Sequence, residues 1–269
     1  MTQKIDMSRR ALLVGTIAAT AAASLGPSRA AAAEPDPVIE LRQYKIMHGL
    51  RDRFIALFER QFIESQEGLG MRLVGQFRDL DDPDRYTWIR EFPTMAGRAA
   101  QLDAFYSGPV WQAHRAEANP MLDDNDNVLL LKPSAPGAGF GPVERRPRAS
   151  ADRGLMVATI HYLWKAPPEG FAPFFYTSGR TALEKEGVHV LGSYVGEDRP
   201  NDFPRLPIRQ HEKLFVWFAR VDGRPHYERA MSALRGRAGV RRGAQWLLPD
   251  LEERPAQLLR MASATRSRL

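Results

Sequence analysis

Residues 214–218 read Leu-Phe-Val-Trp-Phe, an unbroken apolar run. A strand with one face in water alternates apolar and polar residues, so a continuous apolar run indicates a strand that is covered on both faces. Residues 128–131 (Val-Leu-Leu-Leu) have the same character. Helices can cover one face of such a sheet, and the simplest cover for the other face is a second sheet of the same kind.

The pattern of elements around these runs occurs twice. We predict the order strand, helix, strand, strand, helix, strand for residues 38–133 and again for residues 154–262, where the 196–211 hairpin is longer and contains prolines. Residues 134–153, rich in Gly, Pro and Ser, read as the linker. The order β-α-β-β-α-β is that of the ferredoxin-like unit. We therefore expect an α+β fold in which two ferredoxin-like repeats pack sheet to sheet within one chain.

The first 33 residues have the pattern of an export signal. Arg9 and Arg10 precede an alanine-rich apolar run over 11–25 and a small-residue stretch over 30–33, which is typical of a cleaved signal peptide. The arginine pair followed by two leucines resembles a twin-arginine signal. The apolar run is shorter than the roughly 20 residues that span a bilayer. We expect membrane contact only during export, and a mature protein that is periplasmic or secreted.

Composition excludes several classes of site. The 269-residue chain has no cysteine, so disulfides, cysteine-ligated metals and cysteine nucleophiles are excluded. The formal net charge is +6, and the signal segment contributes +3 of it (Lys4, Arg9, Arg10 and Arg29 against Asp6), which leaves +3. Without a basic run interleaved with aromatic residues, this charge does not favour nucleic-acid binding. The six histidines have no metal-motif spacing, so we expect no metal site.

A few polar and aromatic side chains are candidates for a ligand site. Arg42 and Tyr44 share one face of the first predicted strand, and Glu40 lies on that face as well. If that face lines the barrel interior, the charged pair could orient a polar or anionic ligand; the alternative is a salt bridge between the repeats. Glu91 with Arg90 or Arg98 has the same two interpretations. The candidate pocket lies inside the first repeat of the barrel, and its candidate residues are Arg42, Tyr44, Phe77, Trp88 and Trp111, with His48 and His114 at its rim. The two histidines could act as a base or as haem ligands, or they could be ordinary surface histidines.

Several of these segments resemble the NIPSNAP family. Residues 39–44 (IELRQY) are similar to its YELRxY opening, residues 73–77 (LVGQF) to its second strand, and residues 88–92 (WIREF) with Arg98 to its hxxxFxxxxxR segment. Trp111 and residues 128–133 match its second helical region and closing strand. The resemblance is good over 38–133 and loose over 155–262, where ELRxY is lost. It implies a dimeric α+β-barrel fold but no defined activity.

These observations lead to three functional hypotheses. We expect an exported protein that binds a small aromatic or lipid-like ligand in the barrel and could be a cofactor-independent enzyme. The alternatives are a protein-interaction or scaffold module without catalysis, and a haem-binding barrel. Relatives of the barrel include antibiotic-biosynthesis monooxygenases and haem-binding enzymes, but a shared fold does not transfer their chemistry. Association into a homo-oligomer is compatible with each hypothesis.

Overall fold

The computed structural model describes residues 36–142, 154–167, 170–236 and 252–269. The predicted signal peptide and residues 143–153 of the predicted linker lie outside the described residues. The elements of the first repeat are β1 (Val38–Ile46), α1 (Arg51–Leu57), a π-helical turn (Phe58–Phe62), α2 (Ile63–Glu67), β2 (Arg72–Asp79), β3 (Arg85–Phe92), α3 (Met95–Ser107), α4 (Pro109–Ala118), a 3-10 turn (Asn119–Met121), β4 (Leu122–Asp124) and β5 (Val128–Pro133). The short β4 has no counterpart in the prediction.

The second repeat has the same order of elements. They are β6 (Leu155–Leu163), α5 (Phe171–Phe174), a π-helical turn (Phe175–Gly179), α6 (Arg180–Lys185), β7 (His189–Gly196), β8 (Lys213–Val221), α7 (Arg224–Gly236) and β9 (Glu252–Ser263). The predicted β-α-β-β-α-β order is confirmed in both repeats. No helix of the described residues is long and apolar enough to cross a membrane.

Local sequence explains where the helices of the first repeat begin and end. The first helical segment buries Phe54, Phe58 and Phe62, which recur at the spacing of one helix face. It ends before Gly70, whose φ of +87° favours glycine. Thr94 caps α3 because its hydroxyl accepts a hydrogen bond from the Gly97 N–H at 3.1 Å.

Within the described residues, eight strands close into an antiparallel barrel. The strand order is β5-β1-β3-β2 in the first repeat and β9-β6-β8-β7 in the second, which is the same order when counted within each repeat. The barrel closes because β2 pairs with β9 and β5 pairs with β7. The two sheets therefore face each other, as expected from residues 214–218, and they also share hydrogen bonds along both edges.

The barrel interior is filled with apolar side chains. The buried cluster there draws on every barrel strand and includes Ile39, Leu41, Val74, Phe77, Ile89, Leu129, Leu131, Met156, Ala158, Ile160, Tyr194, Val216, Phe218, Leu259 and Met261. Phe140, from the segment predicted as linker, joins the cluster, and its ring centroid lies 5.1 Å from that of Phe218. Our expectation of a ligand pocket inside the barrel is therefore wrong.

Two further apolar cores lie outside the barrel, between each half of it and its own helices. In the first repeat this core combines Tyr44 and Trp88 of the sheet with the phenylalanines of the first helical segment. In the second repeat it centres on Phe215, Trp217 and Phe171. The outer face of each sheet thus carries the side chains that alternate with those of the barrel interior.

Candidate functional site

A cavity of about 230 Å³ lies between the sheet of the first repeat and its helices. Its walls are mostly aromatic, and the described lining residues are Tyr44, Phe54, Phe58, Phe62, Gln66, Trp88, Phe105, Tyr106, Trp111, Ala118, Asn119, Leu122, Asn125, Phe203, Arg205 and Leu206. An apolar cavity of about 150 Å³ is large enough to bind benzene. This cavity therefore has room for one substituted aromatic ring.

The floor of the cavity contains a tyrosine bonded to an arginine. The Tyr44 hydroxyl oxygen accepts a hydrogen bond from Arg42 Nε at 2.8 Å. Within the described residues the structure shows no acceptor for the Tyr44 hydroxyl hydrogen, so this hydrogen is available to a ligand. Burial raises the pKa of Tyr44 to about 12, although the adjacent Arg42 guanidinium acts in the opposite direction. Tyr44 is therefore protonated at neutral pH and serves as a hydrogen-bond donor.

Behind this pair lies a fully buried cluster of charges. The carboxylate of Glu40 accepts hydrogen bonds from Arg42 at 2.7 Å, Arg90 at 2.5 Å and Arg98 at 2.6 Å, and all four side chains are fully buried. Burial alone would raise the pKa of Glu40, but the three arginines outweigh it and hold that pKa well below its usual range. Glu40 is therefore ionised.

The cluster connects to the cavity and carries surplus positive charge. Gln66, a lining residue, accepts a hydrogen bond from Arg90 at 2.7 Å through its side-chain oxygen. Asp202 pairs with Arg98 and is the second carboxylate of the group. Three guanidinium groups thus face two carboxylates, which leaves one positive charge in surplus behind the cavity floor.

The second repeat lacks this cluster. Arg42 is paired with Trp88 across the first repeat, and Thr159 is paired with Trp217 across the second. When Trp88 is matched with Trp217, their cross-strand partners Arg42 and Thr159 also correspond. Counting two residues along each strand then gives the other pairs: Glu40 corresponds to Val157, Tyr44 to His161 and Arg90 to Ala219. Isolated buried charges are expensive to desolvate, and the second repeat folds without them. The architecture therefore does not require the cluster, and we attribute it to the cavity.

His161 differs from Tyr44 in its hydrogen bonds. Its Nδ1 lies 2.7 Å from a carboxylate oxygen of Glu252, and its Nε2 accepts a hydrogen bond from Trp217 Nε1 at 3.3 Å. Both ring nitrogens are thus engaged within the protein. The second repeat has no counterpart of the available Tyr44 hydroxyl at this position.

The second repeat instead contributes a cover to the cavity. Residues 197–212, which join β7 to β8, pack on the first repeat. The Phe203 ring stacks on Tyr106 with centroids 6.1 Å apart, and Leu206 is buried beside it. The Arg209 N–H donates to the Val128 carbonyl oxygen at 2.8 Å and anchors the far end of the segment. The sequence revealed this long hairpin, but nothing in it indicated the direction in which the hairpin folds.

Some of the predicted site residues meet at this cavity. Tyr44, Trp88 and Trp111 line it, and Arg42 lies directly behind Tyr44. Arg42, Tyr44 and Trp88 point away from the barrel interior, so the side of the sheet that we predicted for them is wrong; Trp111 reaches the cavity from α4. The alternative of a salt bridge between the repeats is also wrong for Arg42, since its partner Glu40 lies on the same strand.

Three predicted residues do not line the cavity. Phe77 is paired with Thr87 rather than Trp88, so its side chain lies on the opposite face of the sheet, inside the barrel. The His48 side chain is 91% exposed and bonded to Asp84 at 3.0 Å. His114 packs against the Phe62 ring but is not part of the lining. The assignment of Phe77 to the pocket is therefore wrong, and His114 lies beside the cavity without lining it.

The two histidines predicted as haem ligands do not reach the cavity. A haem iron needs an axial ligand from the protein, and neither His48 nor His114 lines the cavity. No group of three or more His, Asp or Glu side chains that could hold a metal ion occurs in the described part of the chain.

Comparison with known proteins agrees with the sequence resemblance and with the fold. Residues 39–136 match the NIPSNAP family model. The matched segment contains the floor of the cavity, Glu40 with its three arginines, and the first-repeat helices. It ends before the cover formed by residues 197–212. No curated protein matches the chain.

Solved structures with the same fold span most of the chain. A proposed monooxygenase from Lactobacillus acidophilus NCFM is 14% identical, with 87% of this chain and 97% of the other chain covered and a TM-score of 0.54. A second proposed monooxygenase, from Fusobacterium nucleatum, is 12% identical, with 87% and 95% covered and a TM-score of 0.52. A NIPSNAP family protein of unknown function from Agrobacterium tumefaciens is 22% identical, with 37% and 90% covered and a TM-score of 0.34. The first two likenesses show the α+β barrel fold and no more.

Proposed function

We propose that the protein binds a small aromatic ligand in the cavity of its first repeat and holds an oxygen atom of that ligand through the Tyr44 hydroxyl. The observation that carries this proposal is the buried Arg42–Tyr44 pair, which borders an aromatic cavity and has no counterpart in the second repeat. Aromatic walls with a few convergent polar groups are the usual composition of a small-molecule site.

The electrostatics of the floor define what Tyr44 can do to a bound ligand. Arg42 donates to the phenol oxygen and thereby polarises the O–H bond toward the cavity. A donor of this kind stabilises negative charge that develops on a carbonyl or phenol oxygen. The catalytic version of the proposal is a cofactor-independent reaction that passes through an enolate or phenolate anion.

A pair of fragments tests the role of Tyr44. Acetophenone and α-methylstyrene have nearly the same shape, but only acetophenone has an oxygen that can accept a hydrogen bond. We expect the wild-type protein to bind acetophenone roughly 2- to 13-fold more tightly, because one hydrogen bond contributes about 0.5–1.5 kcal/mol. Ligand-detected NMR titration measures both affinities. We expect Tyr44→Phe to abolish the preference.

Tyr194→Phe is the matched control. Tyr194 is also a buried tyrosine, but its hydroxyl accepts a hydrogen bond from the Phe140 N–H at 2.7 Å inside the barrel. This variant loses a buried hydrogen bond without altering the cavity, so it should keep the preference for acetophenone. Equal binding of the two fragments by wild-type protein, or an unchanged preference in Tyr44→Phe, contradicts the proposal.

We also propose that the protein is exported by the twin-arginine pathway. Support comes from Arg9, Arg10 and the apolar run that follows them, which lie outside the described residues. A reporter protein fused behind residues 1–33 should be exported, and replacement of both arginines by lysine should retain it in the cytoplasm. Export that survives the double replacement contradicts this route. Homo-oligomer formation stays a prediction, which light scattering of the purified protein tests.

A further inference from the structure

The cavity meets solvent beside a single cation. Within the described lining, Arg205 is the one charged side chain, and it is 65% exposed. Its ion-pair partner, Asp103, is 63% exposed and lies 3.6 Å away, so the contact is loose. An exposed pair of this kind contributes little and leaves the guanidinium available to a ligand.

The second repeat holds Arg205 at this position. Its neighbours on the cover segment, Phe203 and Leu206, are buried in the first-repeat core. Asp202 pairs with Arg98 of the buried cluster. Arg205 therefore extends from a segment that is anchored on both sides of it, so ligand binding at Arg205 does not also have to order the backbone of this segment.

The charges around the cavity favour a negatively charged ligand. The described lining contains no Asp or Glu, and behind the floor the guanidinium groups outnumber the carboxylates by one. The acidic loop near the rim contributes only Asn125 to the lining, while its neighbours Asp124 and Asp126 are exposed to solvent. Water screens exposed carboxylates far more than it screens charges in a buried cluster. At the mouth, Arg205 and Asp103 balance each other, so the surplus positive charge next to the cavity is that of the buried cluster.

We propose that the natural ligand is an anionic aromatic compound whose carboxylate binds Arg205 at the mouth while its ring occupies the cavity. This inference rests on the proposed function and specifies the ligand class for the same site. It makes Arg205 a specificity-determining residue that the second repeat supplies to a site built by the first. An exposed guanidinium that can bind both oxygens of a carboxylate suits this role.

One probe carries both recognition elements. In 4-acetylbenzoate the acetyl oxygen and the carboxylate lie at opposite ends of the ring, and 4-acetylbenzamide has the same shape without the charge. We expect calorimetric titration to show wild-type protein binding the benzoate at least about fivefold more tightly than the benzamide, which corresponds to about 1 kcal/mol. The difference should shrink as salt is added, because the carboxylate site is exposed.

Two variants separate the contribution of Arg205 from general electrostatics. We expect Arg205→Gln to bind both probes equally. Arg53→Gln is the matched control, since Arg53 is 64% exposed and lies 3.6 Å from Glu117, yet it does not line the cavity. It should keep the preference for the benzoate.

The outcomes distinguish the two proposals. If the probes bind wild-type protein equally, or if Arg205→Gln keeps the preference, the charge inference is overturned. Binding of the neutral benzamide that depends on Tyr44 would then still support the proposed function. If neither probe binds and acetophenone does not bind either, the proposed function itself fails.

Discussion

Replacement of Glu40 by glutamine tests the account of the cavity floor most directly. The substitution keeps the size of the side chain but removes the central negative charge of the cluster. Among the described residues, Arg42 and Arg90 then have no carboxylate partner, and Arg98 keeps Asp202 alone. The new amide also presents N–H donors to guanidinium groups that can only donate.

The expected loss of stability is large because all four side chains are fully buried. Breaking a buried ion pair by removal of one partner costs about 3–5 kcal/mol. For a domain of this size, about 1 kcal/mol lowers the Tm by roughly 2–4 °C. We therefore expect the Tm of Glu40→Gln to fall by about 6–20 °C. Calorimetry gives the Tm, and urea titration followed by circular dichroism gives the free energy of unfolding.

An exposed glutamate provides the control. Glu184 pairs with Arg180 at 2.7 Å on one helix face, with both side chains 39% exposed. Because water screens this pair, Glu184→Gln should cost only about 0.3–0.5 kcal/mol. If the free energy of unfolding of Glu40→Gln lies within about 1 kcal/mol of the wild-type value, Glu40 is not needed to neutralise the three arginines. That result would refute the electrostatic description of the floor.

Three further predictions follow from the same geometry. The pKa of Glu40 is held below its usual range, so the stabilisation that its carboxylate provides is complete above the ordinary glutamate pKa of about 4.3 and declines as the pH falls below that value. The difference in the free energy of unfolding between wild type and Glu40→Gln should therefore become smaller below this pH. A difference that stays constant with pH would contradict this assignment. Phe77→Ala should lower the free energy of unfolding, measured in urea, by about 3–5 kcal/mol, because Phe77 fills the barrel interior. Its affinity for acetophenone should be unchanged, and weaker binding by the folded variant would show that Phe77 contributes to the site. Phe203→Ala removes the ring stacked on Tyr106 and should raise the acetophenone dissociation rate in relaxation-dispersion NMR, whereas an unchanged rate would show that residues 197–212 do not cover the ligand.

Much of the candidate site could be recognised from single strands. Arg42 and Tyr44 were identifiable because residues two apart on a strand share a face, whatever the rest of the fold does. Trp88 and Trp111 were identifiable as large aromatic side chains in predicted elements. Arg90 and Arg98 were considered as partners of Glu91, whereas both bind Glu40 in the structure and Glu91 pairs with Arg72. The absence of a pair like Glu40 and Arg42 from the corresponding strand of the second repeat is the signal that could have pointed to a buried cluster.

The choice of sheet face depended on relations between strands. Alternation tells which residues of one strand share a face, but not whether that face is inside or outside the barrel. We predicted Phe77 and Trp88 for the same pocket, yet β2 has a register shift between Leu73 and Gly75, and Phe77 pairs with Thr87 rather than with Trp88. A bulge of this kind exchanges the faces of all residues beyond it.

The sequence by itself determined the architecture of this protein: apolar runs without alternation require cover on both faces, and a repeated order of elements supplies two equivalent sheets. That inference depends only on local pattern and on the cost of exposing apolar surface to water. Tertiary structure alone decided that the interior is filled, that the cavity lies under the helices of the first repeat, and that residues 197–212 of the second repeat complete it. These features arise from strand register and from contacts between residues far apart in the chain, such as Arg98 and Asp202, which no local pattern encodes.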